Sequence, residues 1–130
     1  RYVFFSLLLI PVIATAQTQK DYEVAIGKVM YFYNKCWGDS INKMFTEDVS
    51  SAADPMWNRK LNAEILEQCG KMKSYKYLGI DSHDNVAVFR TEFAKVGVKA
   101  MSLTLHDGRL GTFRFITSSP EIERMLKEAK

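Results

Sequence analysis

The chain has 130 residues, 47% of them apolar and 25% charged, with a formal net charge of +3. That composition excludes a disordered, collagen-like or disulfide-dense chain, and so small a charge argues against a polyanion partner or a polybasic membrane anchor. The length suits a single domain with one core, and no repeat, linker or low-complexity tract divides it.

The first element in chain order is an address. Arg1 precedes an apolar run from Val3 to Ile13, interrupted by Pro11 and shorter than the about 20 residues a membrane helix requires. Ala14-Thr15-Ala16 then supplies the small-x-small pattern of a signal-peptidase site. The expectation is a cleaved secretory signal over residues 1–16, cut between Ala16 and Gln17, and a single α+β domain over residues 17–130. Gln17 stands where a lipoprotein would carry Cys. The expected product is therefore secreted or periplasmic and soluble, with no stable membrane anchor after cleavage.

From Gln19 to Trp37 the apolar residues Tyr22, Ile26, Val29 and Tyr33, then Cys36 or Trp37, follow helical spacing. Around Met30-Tyr31-Phe32-Tyr33 the stripe widens, which predicts either a second covered side or an exposed aromatic patch. Gly38 reads as the stop of this helix. Asp39 or Ser40 reads as the cap of a short second helix carrying Ile41, Met44 and Phe45. Asp54-Pro55 predicts the start of a third helix with Trp57, Leu61, Ile65 and Cys69 on one face, ending at Gly70.

Cys36 and Cys69 are the two cysteines, each within two residues of a glycine read as a helix end. In an oxidising compartment one pair invites one disulfide, worth about 3–4 kcal/mol by loop entropy. Two separate thiols packing as small hydrophobes is the alternative, and the spacing leaves both open.

After Gly70 the hydrophobic period falls to two. Strands are predicted at Ser74–Asp81, Val86–Ala94, Val98–His106 and Arg109–Thr117, separated by turn residues. Parity decides the middle hairpin. A two-residue turn would set Arg90 and Glu92 beside the Leu-rich face of Met101, Leu103 and Leu105, whereas a three-residue loop ending in a left-handed Gly97 puts Phe89 and Phe93 there instead. The second arrangement is the one expected. The last strand points Leu110 and Ile116 one way and Phe113 and Phe115 the other, so it is covered on both faces or bulged. Ser119-Pro120 opens a capped C-terminal helix with Ile122, Met125, Leu126 and Ala129 as its apolar edge.

Helices followed by an antiparallel meander make an α+β pattern. The stretch from Tyr33 to Ile116 resembles the nuclear transport factor 2-like (cystatin-like cone) superfamily. Within it, the chain is similar to a bacterial exported domain sometimes fused to serine hydrolases. The resemblance is carried by Gly38-Asp39-Ser40, Met44-Phe45 and Asp48, by Gly70-Lys71-Met72-Lys73-Ser74, and by Val88-Phe89 and Glu92-Phe93. Ser102-Leu103-Thr104-Leu105 and Asp107-Gly108-Arg109-Leu110-Gly111-Thr112-Phe113 complete it. It implies N-terminal helices packed on a curved four-stranded antiparallel meander, a cone whose mouth holds a small apolar ligand, and homodimerisation through the sheet.

A pocket in such a cone would be lined by Tyr22, Tyr33, Trp37, Trp57, Phe89, Phe93 and Met101. An isomerase or dehydratase of this superfamily needs a carboxylate or His inside the cone with a pKa raised by apolar walls. The inward strand positions carry Phe, Leu, Met and Thr91 instead. The expected function is thus a non-catalytic binding domain for a small apolar ligand, peptide or protein partner, with no catalytic residue and no cofactor. The alternatives are a pocket enzyme of the ketosteroid isomerase or dehydratase type, or an accessory module to an envelope hydrolase. His83 and His106 fall in turns whose Asp, Asn and Gly residues turns need anyway, so no metal site is expected. Lys71, Lys73 and Lys76 beside Tyr75 and Tyr77 read as a solvated sheet edge, not a nucleic-acid surface.

Overall fold

The computed structural model describes residues 17–47 and 57–129. The expected signal segment through Ala16, and with it the cleavage site, lies outside them, as do Asp48 and the helix-start pair Asp54-Pro55. The elements in chain order are α1 (Gln19–Asn34), α2 (Gly38–Asn42), α3 (Arg59–Cys69), β1 (Met72–Asp81), β2 (Val86–Phe93), β3 (Gly97–His106), β4 (Arg109–Thr117) and α4 (Pro120–Glu128). The strands form one antiparallel sheet in the order β1-β2-β3-β4, so the protein has the α+β architecture that the period change predicts.

A reciprocal cap starts α1. The Thr18 hydroxyl accepts from the Asp21 amide at 3.2 Å, and the Asp21 carboxylate accepts from the Thr18 amide at 2.9 Å. Ala25, Ile26, Val29 and Tyr33 form its buried face. The helix ends earlier than its periodicity suggests, at Asn34, and Cys36 takes the left-handed conformation at φ 60°. Gly38 is therefore not a stop: it is the first residue of α2. A Cβ there would overlap the Asn58 carbonyl oxygen and lie 3.0 Å from the Arg59 nitrogen. The backbone of α2 thus rests directly on the start of α3, a closeness only glycine allows.

Neither Asp39 nor Ser40 caps α2, whose N-cap is Trp37 with no side-chain bond. Asp39 instead meets Arg59 at 3.0 Å, and the Arg59 hydrogen bond holds its carboxyl below the usual range. Met44 and Phe45 lie beyond the helix, where Phe45 makes a parallel bridge to Leu110 of β4. Trp57 likewise precedes α3, whose N-cap is Asn58, accepting from the Leu61 amide at 2.9 Å. The buried residues of α3 are Asn62 and Cys69. Its inward face is turned about one residue from the predicted Leu61–Ile65 line, leaving those two side chains partly buried.

Two asparagines fasten the helices. The Asn34 amide brackets Met72 like a strand neighbour, donating to its carbonyl at 2.9 Å and accepting from its N–H at 2.8 Å. Asn62 accepts from Trp57 Nε1 at 3.1 Å and donates to the Tyr33 carbonyl at 3.0 Å. Each amide replaces lost water with matched partners, so its burial costs little.

The middle hairpin follows the predicted parity. Phe89 faces Met101 and Ala87 faces Leu103, with Gly97 at φ 77° closing the loop. On β4 the bulge is the answer. Leu105 pairs with Leu110 and Thr104 with Thr112, so Gly111 is the extra residue, and a second register shift lies between Ala100 and Ser102. Leu110, Phe113 and Phe115 thereby all join the helix-side core, while Ile116 is 47% exposed. A Cβ at Gly111 would strike the His106 ring and sit 2.9 Å from Thr104 Oγ1, so the bulge site needs glycine for space.

The other sheet face carries α4. Ser119 caps it through the Ile122 amide at 3.1 Å, and Ile122 and Met125 pack on Val86, Val88 and Ala100 with Leu78 and Leu126 alongside. Replacing Ile122 by Asp would press an unpaired carboxylate against that apolar floor. We expect a loss of about 2 kcal/mol in urea unfolding and faster hydrogen exchange confined to residues 120–128. Unchanged protection of α4 would contradict this docking.

Candidate functional site

The residues expected to line a pocket form two groups. Tyr33, Trp57, Phe89, Phe93 and Met101 are buried in the helix–sheet core. Their rings pack on one another: Tyr33 lies 6.1 Å from Phe93 and 5.1 Å from Phe115, and Trp57 lies 5.7 Å from Phe113. The predicted lining is in this region a packed interior. The Tyr33 hydroxyl donates to the Gly70 carbonyl at 2.8 Å. Burial, with the nearby Cys69 and Cys36 adding to it, pushes its pKa well above the ordinary value, so it stays protonated and committed. Tyr22 stacks on Tyr77 at 6.3 Å, where helix meets sheet edge. Trp37 stands apart in a surface cluster.

That cluster is the exposed aromatic patch that the widened α1 stripe allowed for. Tyr31 is 53% and Trp37 38% exposed; their rings are 5.9 Å apart, and Phe32 lies 5.8 Å from Tyr31 and 6.4 Å from Trp37. Phe32 also belongs to a groove of about 610 Å³ between α1, α2 and the β3–β4 hairpin, a volume in the range of small-molecule sites. Along α1 the groove follows Asp21, Val24, Ala25, Lys28 and Phe32, a second helical face beside the core-facing one. Ser40 of α2, with Lys43 and Met44 just beyond it, forms a second wall, and Leu105, Gly108 and Arg109 the hairpin wall.

The floor is apolar and the rim is cationic. The Arg109 guanidinium is held in place, Nε donating to the Phe45 carbonyl at 2.8 Å and Nη2 to the Lys43 carbonyl at 3.1 Å. Those two bonds leave Nη1 unused. Lys28 and Lys43 make no ion pair among the described residues. The carboxylate of Asp21 is occupied by the Thr18 amide.

Compared with known proteins, the chain matches no protein-family model, no curated protein and no solved structure.

Elsewhere, Cys36 and Cys69 are separate thiols. Cys36 approaches the Arg59 carbonyl at 3.9 Å, while Cys69 is buried, which pushes its thiol pKa up. His83 meets Asp84 at 3.1 Å, a hydrogen bond that raises its pKa, helped by the charges of Asp84 and Asp81. His106 packs over Gly111. No group of three or more His, Cys, Asp or Glu positioned for a metal ion occurs among the described residues. Nor is any helix among them long and apolar enough to cross a membrane.

Sequence periodicity missed Lys28, Lys43 and Arg109 as site residues. The available signal was the run Val24, Lys28, Phe32 at i, i+4, i+8 on α1, a mixed stripe beside the purely apolar one.

Proposed function

We propose that this chain is an exported, non-catalytic binding domain of the nuclear transport factor 2-like cone type, released by cleavage between Ala16 and Gln17, whose ligand lies in the α1–α2–hairpin groove. The helix-first order and the four-stranded meander support the fold reading, and the signal pattern supports export. The observation that carries the binding reading is the groove itself. Val24, half-exposed on an otherwise capped and packed helix, opens onto Phe32, Met44 and Leu105 in a concave, ligand-sized space. An apolar group placed there would remove several side chains from water at about 25 cal/mol per Å².

Nile red, a neutral apolar probe, tests this reading. It should bind the protein saturably, and Val24→Glu should weaken binding about tenfold, a change of about 1.4 kcal/mol, with unfolding unaltered. Saturable binding that ignores Val24→Glu would remove the groove from the reading. Native mass spectrometry of protein taken from its own envelope would then identify what co-purifies.

A second reading, a protein or peptide partner, is favoured by the Tyr31–Trp37 patch, because exposed Tyr and Trp are the usual anchors of interfaces. A homodimer through the outer sheet face would have to use the strip that α4 leaves open, where Lys73 approaches Glu92 at 3.8 Å and Arg114 approaches Asp84 at 3.9 Å.

A further inference from the structure

The charges at the groove carry the ligand class further, on the footing of the binding reading above. The groove meets its occupant with Lys28, Lys43 and Arg109 against the single carboxylate of Asp21. That carboxylate already serves the Thr18 amide, whereas the lysines have no ion-pair partner among the described residues. Arg109 is tied at Nε and Nη2 to two backbone carbonyls, which orients its plane and lowers the entropy a ligand must remove to engage it. A neutral apolar molecule would leave three like charges uncompensated around a half-enclosed space. A fully polar anion would leave Val24, Phe32, Met44 and Leu105 wet. The complementary occupant has both parts.

We propose that the groove binds a small anionic amphiphile, an alkyl or aryl carboxylate. Its head accepts charge-assisted hydrogen bonds from Arg109 and Lys43, with Lys28 adding its charge, and its tail lies over Val24, Phe32 and Met44. Guanidinium–carboxylate bonds are about twice as strong as neutral ones and gain further where water is partly excluded. Selection for the acid over the matching alcohol follows from that difference.

Decanoate and decan-1-ol, which share a tail and differ in the head, separate the two ideas. Isothermal titration, or the Trp37 fluorescence next to Phe32, should show decanoate binding about tenfold tighter than decan-1-ol. The advantage should shrink as salt rises. The double variant Lys28→Gln, Lys43→Gln, altered only at exposed positions, should lose the lysines' share of that advantage, leaving the part that Arg109 supplies, while binding the alcohol as before. Equal affinity for acid and alcohol would overturn the carboxylate proposal and leave the groove reading standing. A preference that survives the double variant undiminished would also overturn it. Binding of neither would sink both, and an acidic, apolar peptide that binds where decanoate does not would reassign the groove to a protein partner.

Discussion

Gly38→Ala is expected to cost about 3 kcal/mol or more of folding stability, although the added atom is one methyl group. The Cβ would overlap the Asn58 carbonyl oxygen and crowd the Arg59 nitrogen. Both are backbone atoms at the N-terminus of α3, so no rotamer change relieves the clash. Relief requires moving α3 away from α2, and α3 is held on its other side by the Asn62 bonds to Trp57 and the Tyr33 carbonyl. Overpacking of a core ordinarily costs about 1–3 kcal/mol, and a clash against fixed backbone belongs at or above the top of that range. Urea unfolding monitored by far-UV circular dichroism gives the number. If Gly38→Ala unfolds within about 0.5 kcal/mol of the parent, the size of an ordinary surface substitution, the α2–α3 contact is looser than described.

Asn62→Ala should lose about 3 kcal/mol, from a residue whose type is mostly found on surfaces. It is fully buried, and its removal orphans the Trp57 indole N–H, which lies in the core with no other hydrogen-bond acceptor among the described residues. An unsatisfied buried group costs about 1–3 kcal/mol, and the vacated volume adds to that. The Tyr33 carbonyl is less affected, because it also accepts from the Cys36 amide at 3.0 Å. The decisive measurement is a double-mutant cycle. Trp57→Phe removes the orphaned N–H, so in that background Asn62→Ala should cost about 1 kcal/mol less. Strict additivity would show that the pair does not interact as placed.

These two residues mark where local pattern stops being informative. The sequence shows a glycine after an apolar run and reads a helix stop. In the structure Cys36 turns the chain and Gly38 opens the next helix. The same pattern puts Trp57 on the third helix and centres its buried face on Leu61 and Ile65. A one-residue rotation puts Asn62 inside instead, because an amide paired with the Trp57 indole and the Tyr33 carbonyl is as acceptable to the core as an aliphatic chain. The sheet was more legible. The faces of β2 and β3 follow from parity around Gly97, since a strand offers only two directions and one loop length satisfies both neighbours.

The candidate site divides the same way. The aromatic patch on α1 is legible in its widened stripe, but Tyr33, Trp57, Phe89, Phe93 and Met101 pack into the interior. The groove instead draws on α1, α2 and the β3–β4 hairpin. No window of sequence contains residues so far apart, and Arg109 joins Lys43 only because the Phe45–Leu110 bridge lays the segment after α2 along β4.

What the sequence determined alone is whatever depends on neighbours a few residues away: the helix cap at Ser119, the switch from helical to alternating period at Gly70, four strands with their turns, and the left-handed loop at Gly97. These are local because hydrogen-bonding reach and side-chain periodicity set them. Tertiary structure alone decided which glycine answers to space and not to φ, how the Gly111 bulge returns Phe113 and Phe115 to the core, and where a cationic rim meets an apolar floor. Each of those depends on atoms brought together from distant segments, and only close packing of the whole chain specifies their distance.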